Sequence, residues 1–155
     1  MRKIIITILL LAVPAAPAHS KASTEQRCPK WEPLMQKYKL PIKGKVNFSY
    51  LAWRESRCQP KATGWNLKDG YTLADCPDGR YHVMRKCVGV DSHDVGLLQI
   101  NSSWNTVTTR ICGHSTRSRV LMKPDCNLRV ASYLYHHGGG AANWGYPSDR
   151  PSRKL

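Results

Sequence analysis

The chain has 155 residues and carries 24 Lys and Arg against 10 Asp and Glu, which gives a formal net charge of +14. This length predicts one domain, and the hydrophobic content of 41% excludes a chain that is disordered throughout. Six cysteines are too few for a scaffold held mainly by disulfides, so any disulfides are expected to reinforce a hydrophobic core. The positive charge predicts an anionic partner but does not select nucleic acid, a membrane or an acidic polymer.

Residues 1–20 follow the three-part pattern of a secretory signal peptide. Arg2 and Lys3 precede an apolar stretch over 4–13, and small residues and helix breakers follow it. That stretch is too short to span a membrane, which takes about 20 residues, although a membrane anchor is the alternative. We therefore predict cleavage near Ser20, a mature domain over 21–155, and a soluble protein that is secreted or periplasmic.

The six cysteines all follow the predicted signal peptide. In an oxidising compartment an even number of cysteines predicts disulfides, and short loops close at the lowest entropic cost. We therefore expect three unnested pairs: Cys28–Cys58, Cys76–Cys87 and Cys112–Cys126. The alternative is a zinc site, but the sequence lacks the CxxC spacing that is typical of one.

Two helices are predicted in the first part of the mature chain. Apolar residues recur at helical spacing over 30–38 and again over 47–57, where Asn47 or Ser49 is the expected N-cap. The segment 63–93 is rich in glycine and turn residues, and we interpret it as a loop and hairpin. Its possible strands lie over 81–83 and 86–88.

The second part of the chain is again predicted to be mostly helical. One or two short helices are expected over 103–123 and a longer one over 127–137, with Gly138 as its natural stop. The tail that follows has Trp144 and Tyr146 as its anchors. The predicted fold class is thus α+β and predominantly α, a single domain with a small disulfide-closed β or loop insert.

Among the three glutamates of the chain, Glu55 is the candidate for chemistry. Glu25 lies near the new N-terminus and Glu32 in the first turn of a helix, where the helix dipole favours it. Glu55 follows Leu51 by four residues and Ala52 by three, so helical spacing places its carboxylate on the apolar face. A poorly solvated carboxyl group retains its proton more readily, as a general acid must. The alternative is an ion pair with a neighbouring cation, such as Arg54 or Arg57.

A second candidate feature is the run from Asp94 to Trp104. Gly96 permits close approach of the backbone between a polar turn and an apolar segment. Asp94, Gln99, Asn101 and Trp104 supply a carboxylate, two amides and an aromatic platform. Such groups suit a sugar, which offers hydroxyl groups and stackable C–H faces. The alternative is a strand whose polar side chains are merely exposed.

Together, these two features resemble the lysozyme superfamily. The motifs are Ala52-x-x-Glu55-Ser56 and Asp94-x-Gly96-Leu97-Leu98-Gln99-Ile100-Asn101-Ser102-x-Trp104. The second is most similar to animal c-type lysozymes, whereas residues 53–58 and 127–131 look more like bacterial and phage lytic transglycosylase-like domains. The resemblance extends over about residues 28–146.

The resemblance implies a lysozyme-like fold and cleavage of the β-1,4 bond between N-acetylmuramic acid and N-acetylglucosamine. It implies that Glu55 is the catalytic acid and Asp94 the second carboxylate. Residues in the saccharide cleft would be Gln99, Asn101, Trp104 and Tyr146. The interval from Glu55 to Asp94 is longer than in c-type lysozymes and the cysteine pattern differs, so Asp91 is the alternative second carboxylate. The expected partner is peptidoglycan in an anionic cell wall, bound by a monomer without metal, other cofactor or nucleic acid.

Three other functions are compatible with the sequence. A lytic transglycosylase needs Glu55 alone and leaves 1,6-anhydro ends. A non-catalytic cationic protein would bind the wall or act as an antimicrobial. A basic ribonuclease is suggested by His114, His136 and His137, but it requires two opposed histidines, and the adjacent pair is expected at one helix end. Asp91 and Asp94 lack the ligand spacing of an EF-hand calcium site.

Overall fold

The computed structural model describes residues 26–76, 80, 84–113 and 118–146. In these ranges four α-helices accompany a three-stranded antiparallel sheet with the strand order β1-β2-β3. The helices are α1 (Glu32–Lys37), α2 (Phe48–Ser56), α3 (Asn105–Cys112) and α4 (Pro124–His137). The strands are β1 (Thr63–Leu67), β2 (Val90–Val95) and β3 (Ile100–Asn101). The α+β class and its mainly helical character are confirmed.

Several predictions fall outside the described residues: the signal peptide over 1–20, the strand over 81–83, and the placements of Glu25 and His114. Within the ranges that are described, no helix is both long enough and apolar enough to cross a membrane.

The helices predicted over 30–38, 47–57 and 127–137 are confirmed as α1, α2 and α4. Asn47 caps α2, because its Oδ1 accepts hydrogen bonds from the amides of Ser49 at 3.0 Å and Tyr50 at 3.1 Å. The short helices expected over 103–123 are α3 and a 3₁₀ turn over Ser118–Met122.

The strand predicted over 86–88 is wrong, because these residues form turns. The hairpin of this region is built instead from β1 and β2, which pair Gly64 with Asp94 and Trp65 with His93. β1 alternates apolar and polar residues only over 65–67, and β2 has four polar residues between its two valines, so the pattern that strand prediction uses is short in one strand and missing in the other. The pairing of these two segments, which are distant in the sequence, is what defines them as strands.

The three predicted disulfides are confirmed, with Cα–Cα distances of 5.5, 5.9 and 5.7 Å in chain order. Cys28–Cys58 joins the segment before α1 to the residues after α2. Cys76–Cys87 closes the connection between β1 and β2, and Cys112–Cys126 ties the end of α3 to the start of α4. Each disulfide therefore restricts the conformational freedom of one segment that contributes to the core or to the sheet.

The hydrophobic core lies between α2, α4 and the turn that follows β2. Phe48 is fully buried and packs edge-to-face on Tyr135 and Trp144, at centroid distances of 5.1 and 5.2 Å. This packing holds the segment around Trp144 against the helix that carries Glu55.

One buried amide, that of Asn127, fixes the turn after β2. Its Oδ1 accepts a hydrogen bond from the Leu98 amide at 3.0 Å. Its Nδ2 donates to the carbonyls of Val95 at 2.8 Å and Leu121 at 3.1 Å. Gly96 has φ +86°, and a Cβ there would lie 2.3 Å from both Asn127 Nδ2 and the Leu121 carbonyl. The close approach therefore requires glycine at this position.

We expect Asn127→Ala to lower the free energy of unfolding by about 3 kcal/mol, because each buried polar group that loses its partner costs about 1–3 kcal/mol. Chemical denaturation followed by circular dichroism measures this loss. Asn143→Ala is the matched control, since that amide bonds the Gly138 and Gly140 carbonyls at an exposed position. Its loss should stay below about 1 kcal/mol, and equal losses in the two variants would contradict the role of Asn127.

Candidate functional site

Glu55 lies in the last turn of α2, and its side chain is 25% exposed. Its Oε1 accepts hydrogen bonds from Arg54 Nη2 at 2.5 Å and Arg54 Nε at 2.9 Å. The ion pair considered for Glu55 in the sequence is therefore present, with Arg54 as the partner. The carboxylate is partly accessible and stands next to a guanidinium group.

Arg54 links Glu55 to the end of the described chain. Its Nη2 also donates to the Trp144 carbonyl at 2.5 Å, and its guanidinium carbon lies 5.8 Å from the centroid of the Tyr146 ring. Burial raises the pKa of Tyr146, and the nearby charge of Arg54 opposes that rise. Glu55 and Tyr146 are thus both neighbours of Arg54, although they are far apart in the sequence.

Two hydrogen bonds join this group to the turn that follows β2. Ser56 Oγ donates to the Leu97 carbonyl at 2.9 Å. Trp144 Nε1 donates to the Leu98 carbonyl, also at 2.9 Å. The two sequence motifs are therefore in direct contact through the residues next to Glu55 and the centre of the Asp94–Trp104 run.

Asp94 lies on the middle strand of the sheet and is half-buried. Its Oδ1 accepts a hydrogen bond from Asn101 Nδ2 at 2.8 Å, and its Oδ2 accepts one from Asn66 Nδ2 at 2.9 Å. A carboxylate between two amide donors is held in one orientation. Its two neighbours come from the two outer strands, so the sheet itself orients Asp94.

The side chains of Gln99 and Asp94 both lie next to Gly64. Gln99 adopts φ +44° and donates from Nε2 to the Gly96 carbonyl at 2.8 Å and the Ala62 carbonyl at 3.2 Å. A Cβ at Gly64 would lie 3.2 Å from Gln99 Oε1 and 3.8 Å from Asp94 Oδ2. The missing side chain at position 64 thus leaves room for both polar groups.

The amide of Asn101 makes its contacts within the protein. In addition to Asp94, Nδ2 donates to Ser92 Oγ at 3.1 Å, and Oδ1 accepts from the Ser103 amide at 2.9 Å. Trp104 ends the 3₁₀ turn that Asn101 caps, and its ring is half-buried against the core. These contacts position Asp94 and the start of α3, and binding of saccharide by Asn101 and Trp104 stays a prediction.

Asn66 is the site residue that the sequence did not reveal. It follows Gly64 by two residues on β1, so both lie on the same face of the sheet as their partner Asp94. The signal would have been this spacing, but it has meaning only once residues 63–67 are recognised as a strand. The alternative carboxylate Asp91 is exposed on β2. The described residues contain no cluster of three or more His, Cys, Asp or Glu side chains that would hold a metal ion.

Next to Asp94, His93 faces Trp65 across the hairpin, with ring centroids 5.3 Å apart. Burial lowers the pKa of His93 below its ordinary value of 6.5. The charge of Asp94 raises that pKa and the charge of Arg85 lowers it further. The folded protein therefore favours the neutral ring.

Comparison of the chain with protein families, with characterised proteins and with solved structures finds no match. The resemblance to the lysozyme superfamily therefore stays a prediction from the motifs.

The pKa of His93 makes stability depend on pH. Because the unfolded ring binds a proton more readily, the stabilisation is complete above pH 6.5 and is lost as the pH falls through the lower pKa of the folded state. We expect the melting temperature to fall between about pH 7 and about pH 5, and to fall less in His93→Gln. Calorimetry of both proteins at the two pH values tests this, and an identical drop in both would contradict it.

Proposed function

We propose that this protein is a secreted glycosidase that cleaves the β-1,4 bond between N-acetylmuramic acid and N-acetylglucosamine in peptidoglycan. The main support is the contact between the two motifs: Ser56 and Trp144 bond the Leu97 and Leu98 carbonyls, which brings the end of α2 to the turn after Asp94. A partly exposed carboxylate at the end of α2 and an oriented carboxylate on the sheet supply the pair of groups that glycoside hydrolysis uses.

In this mechanism Glu55 donates a proton to the glycosidic oxygen of the leaving sugar. Asp94 stabilises the oxocarbenium-like centre or attacks it to form a covalent intermediate, and water then completes the hydrolysis. Asn66 and Asn101 act as positioning residues, because they hold both oxygens of Asp94. Gln99, Trp104 and Tyr146 are the proposed saccharide contacts. No metal or other cofactor enters the reaction.

A lytic transglycosylase is the second candidate, and the bonding of Asp94 favours it. Both oxygens of that carboxylate already accept hydrogen bonds from neighbouring strands, which limits its freedom to approach a sugar. In that reaction the 6-hydroxyl group of the muramic sugar attacks the anomeric carbon, while Glu55 alone transfers the proton. The product then ends in a 1,6-anhydro sugar.

The charge and the disulfides fit an enzyme that works outside the cytoplasm. Disulfides persist in oxidising compartments, and the described cysteines are all paired. The full chain has a formal charge of +14, and the mature protein without Arg2 and Lys3 has +12, which would draw it to an anionic cell wall and raise its local concentration there. We propose that the enzyme acts as a monomer and has no nucleic-acid partner.

A non-catalytic cationic wall-binding protein is a third candidate, supported by the ion pair of Glu55. A glutamate held by Arg54 at 2.5 Å is explained structurally without any catalytic role. Only a measurement of bond cleavage separates this function from the first two.

Mass spectrometry of purified peptidoglycan after digestion distinguishes the three candidates. Hydrolysis adds one water to each pair of new ends, whereas transglycosylation gives anhydro ends. We expect Glu55→Gln to lower the rate by about 10²–10⁴-fold, since it removes the proton donor. Asp94→Asn should lower it strongly in a hydrolase and only slightly in a transglycosylase.

Glu32→Gln is the matched control for a changed carboxylate. Glu32 lies on α1, pairs with Arg27 and accepts a hydrogen bond from Ser49 Oγ at 2.6 Å. This variant should retain cleavage while it is folded. Full cleavage by Glu55→Gln would refute Glu55 as the proton donor, whereas no cleavage by the wild type would refute the enzyme and leave the wall-binding protein.

Arg54 should position Glu55 for that cleavage. Its guanidinium binds both Glu55 Oε1 and the Trp144 carbonyl, so we expect Arg54→Gln to lower the rate of cleavage because the carboxyl group loses the partner that orients it. Arg57→Gln is the control, because that guanidinium lies 3.8 Å from the centroid of the Trp53 ring and not on Glu55. The cleavage rates of the three proteins give the answer, and equal rates for the two variants would contradict the role of Arg54.

A further inference from the structure

An open pocket of about 330 Å³ lies between the end of α1, α3 and α4, away from α2 and the sheet. Tyr38 and Ile111 contribute from α1 and α3, and a row of residues contributes from α4. The α4 residues that line the pocket are Arg129, Ser132, Tyr133, His136 and His137. The glycosidase mechanism uses none of them.

The pocket has apolar walls as well as donors. Tyr38, Tyr133 and Ile111 are half-buried, and their rings and side chain supply the apolar surface. Ser132 Oγ donates to the Tyr38 carbonyl at 2.7 Å, and His136 Nε2 lies 3.2 Å from the Lys39 carbonyl. These bonds join α4 to the end of α1, so the pocket is bounded by connected elements.

Positive charge at this pocket exceeds negative charge. Arg110 stacks on Tyr133 with its guanidinium carbon 4.7 Å from the ring centroid, and Lys37 lies 5.2 Å from the Tyr38 ring. Asp125 is the carboxylate among these groups, and it lies 3.9 Å from Arg129 Nη1 and 3.9 Å from Lys37 Nζ. It also accepts a hydrogen bond from the Tyr38 hydroxyl. Asp125 is therefore shared among several donors, and Arg129, whose side chain is 43% exposed, contacts it at a long distance.

We propose that this pocket binds the pendant carboxylate of an acidic peptide. An arginine fork matches a carboxylate, and the aromatic and aliphatic walls accommodate the methylene groups that carry it. A side-chain carboxylate can enter a pocket of this volume as a single group. A phosphodiester polymer, in contrast, carries its charges within the chain and requires an extended groove. The peptide stems of the cell wall would supply this carboxylate, an assignment that rests on the proposed function.

The probe is the synthetic peptide acetyl-Ala-Glu-Ala-amide, followed by NMR titration of the full-length mature protein. Its isostere acetyl-Ala-Gln-Ala-amide lacks the charge, and inorganic phosphate tests a different anion. We expect the glutamate peptide to shift the resonances of residues that line the pocket and to bind more tightly than the glutamine peptide. Arg129→Gln should weaken binding of the glutamate peptide about tenfold, because it removes one charge-assisted hydrogen bond.

Lys68→Gln is the charge-matched control, since Lys68 is exposed beyond the end of β1 and should leave binding unchanged. Equal effects of Lys68→Gln and Arg129→Gln would overturn the pocket in favour of non-specific attraction. Equal binding of the two peptides would overturn the proposal that the pocket recognises a carboxylate. Tighter binding of phosphate at the same residues would show that the pocket recognises a phosphate group instead. Glu55→Gln should bind the peptide as the wild type does, so that failure of the glycosidase proposal is distinguishable from failure of this one.

Discussion

The side chain of Asn127 is the constraint on which the candidate site depends. Its amide joins the end of β2, the following turn and the segment before α4 in a region closed to solvent. The approach is so close that Gly96 has no room for a Cβ. The same turn carries the carbonyls of Leu97 and Leu98, which accept hydrogen bonds from Ser56 and Trp144. The position of Glu55 relative to the sheet is therefore set by an amide that lies on a different helix.

The two candidate carboxylates are held in different ways. Asp94 lies between amides from the two outer strands, and the sheet would have to move before its orientation changed. Glu55 is bound by Arg54, a long side chain that is 38% exposed and has other partners in the Trp144 carbonyl and the Tyr146 ring. The partners that orient Asp94 therefore belong to the sheet, whereas Arg54 connects Glu55 to the segment around Trp144.

Local sequence features predicted the helices and the disulfides, and they failed for the sheet. Helical spacing and the cap at Asn47 are properties of adjacent residues, and short loops favour the pairing that the cysteines adopt. By contrast, β2 has valine only at its two ends, Val90 and Val95, with polar residues between them. Its pairing with β1 is a contact between segments distant in sequence, so Asn66 could not be recognised as a neighbour of Asp94.

The sequence by itself determined which residues are available for chemistry: one glutamate without a structural explanation, and an aspartate within a run of amides and an aromatic residue. It also left Arg54, Arg57 and other cations as candidates for the partner of Glu55. The tertiary structure decided between them, because the Trp144 carbonyl, 90 residues further along the chain, binds Arg54 beside Glu55. Trp53 meanwhile holds Arg57 on another face of α2. Partners brought together by folding leave no local pattern in the sequence, so the Asn66 amide beside Asp94 and the Trp144 carbonyl beside Arg54 were not predictable, and the catalytic roles of Glu55 and Asp94 stay predictions.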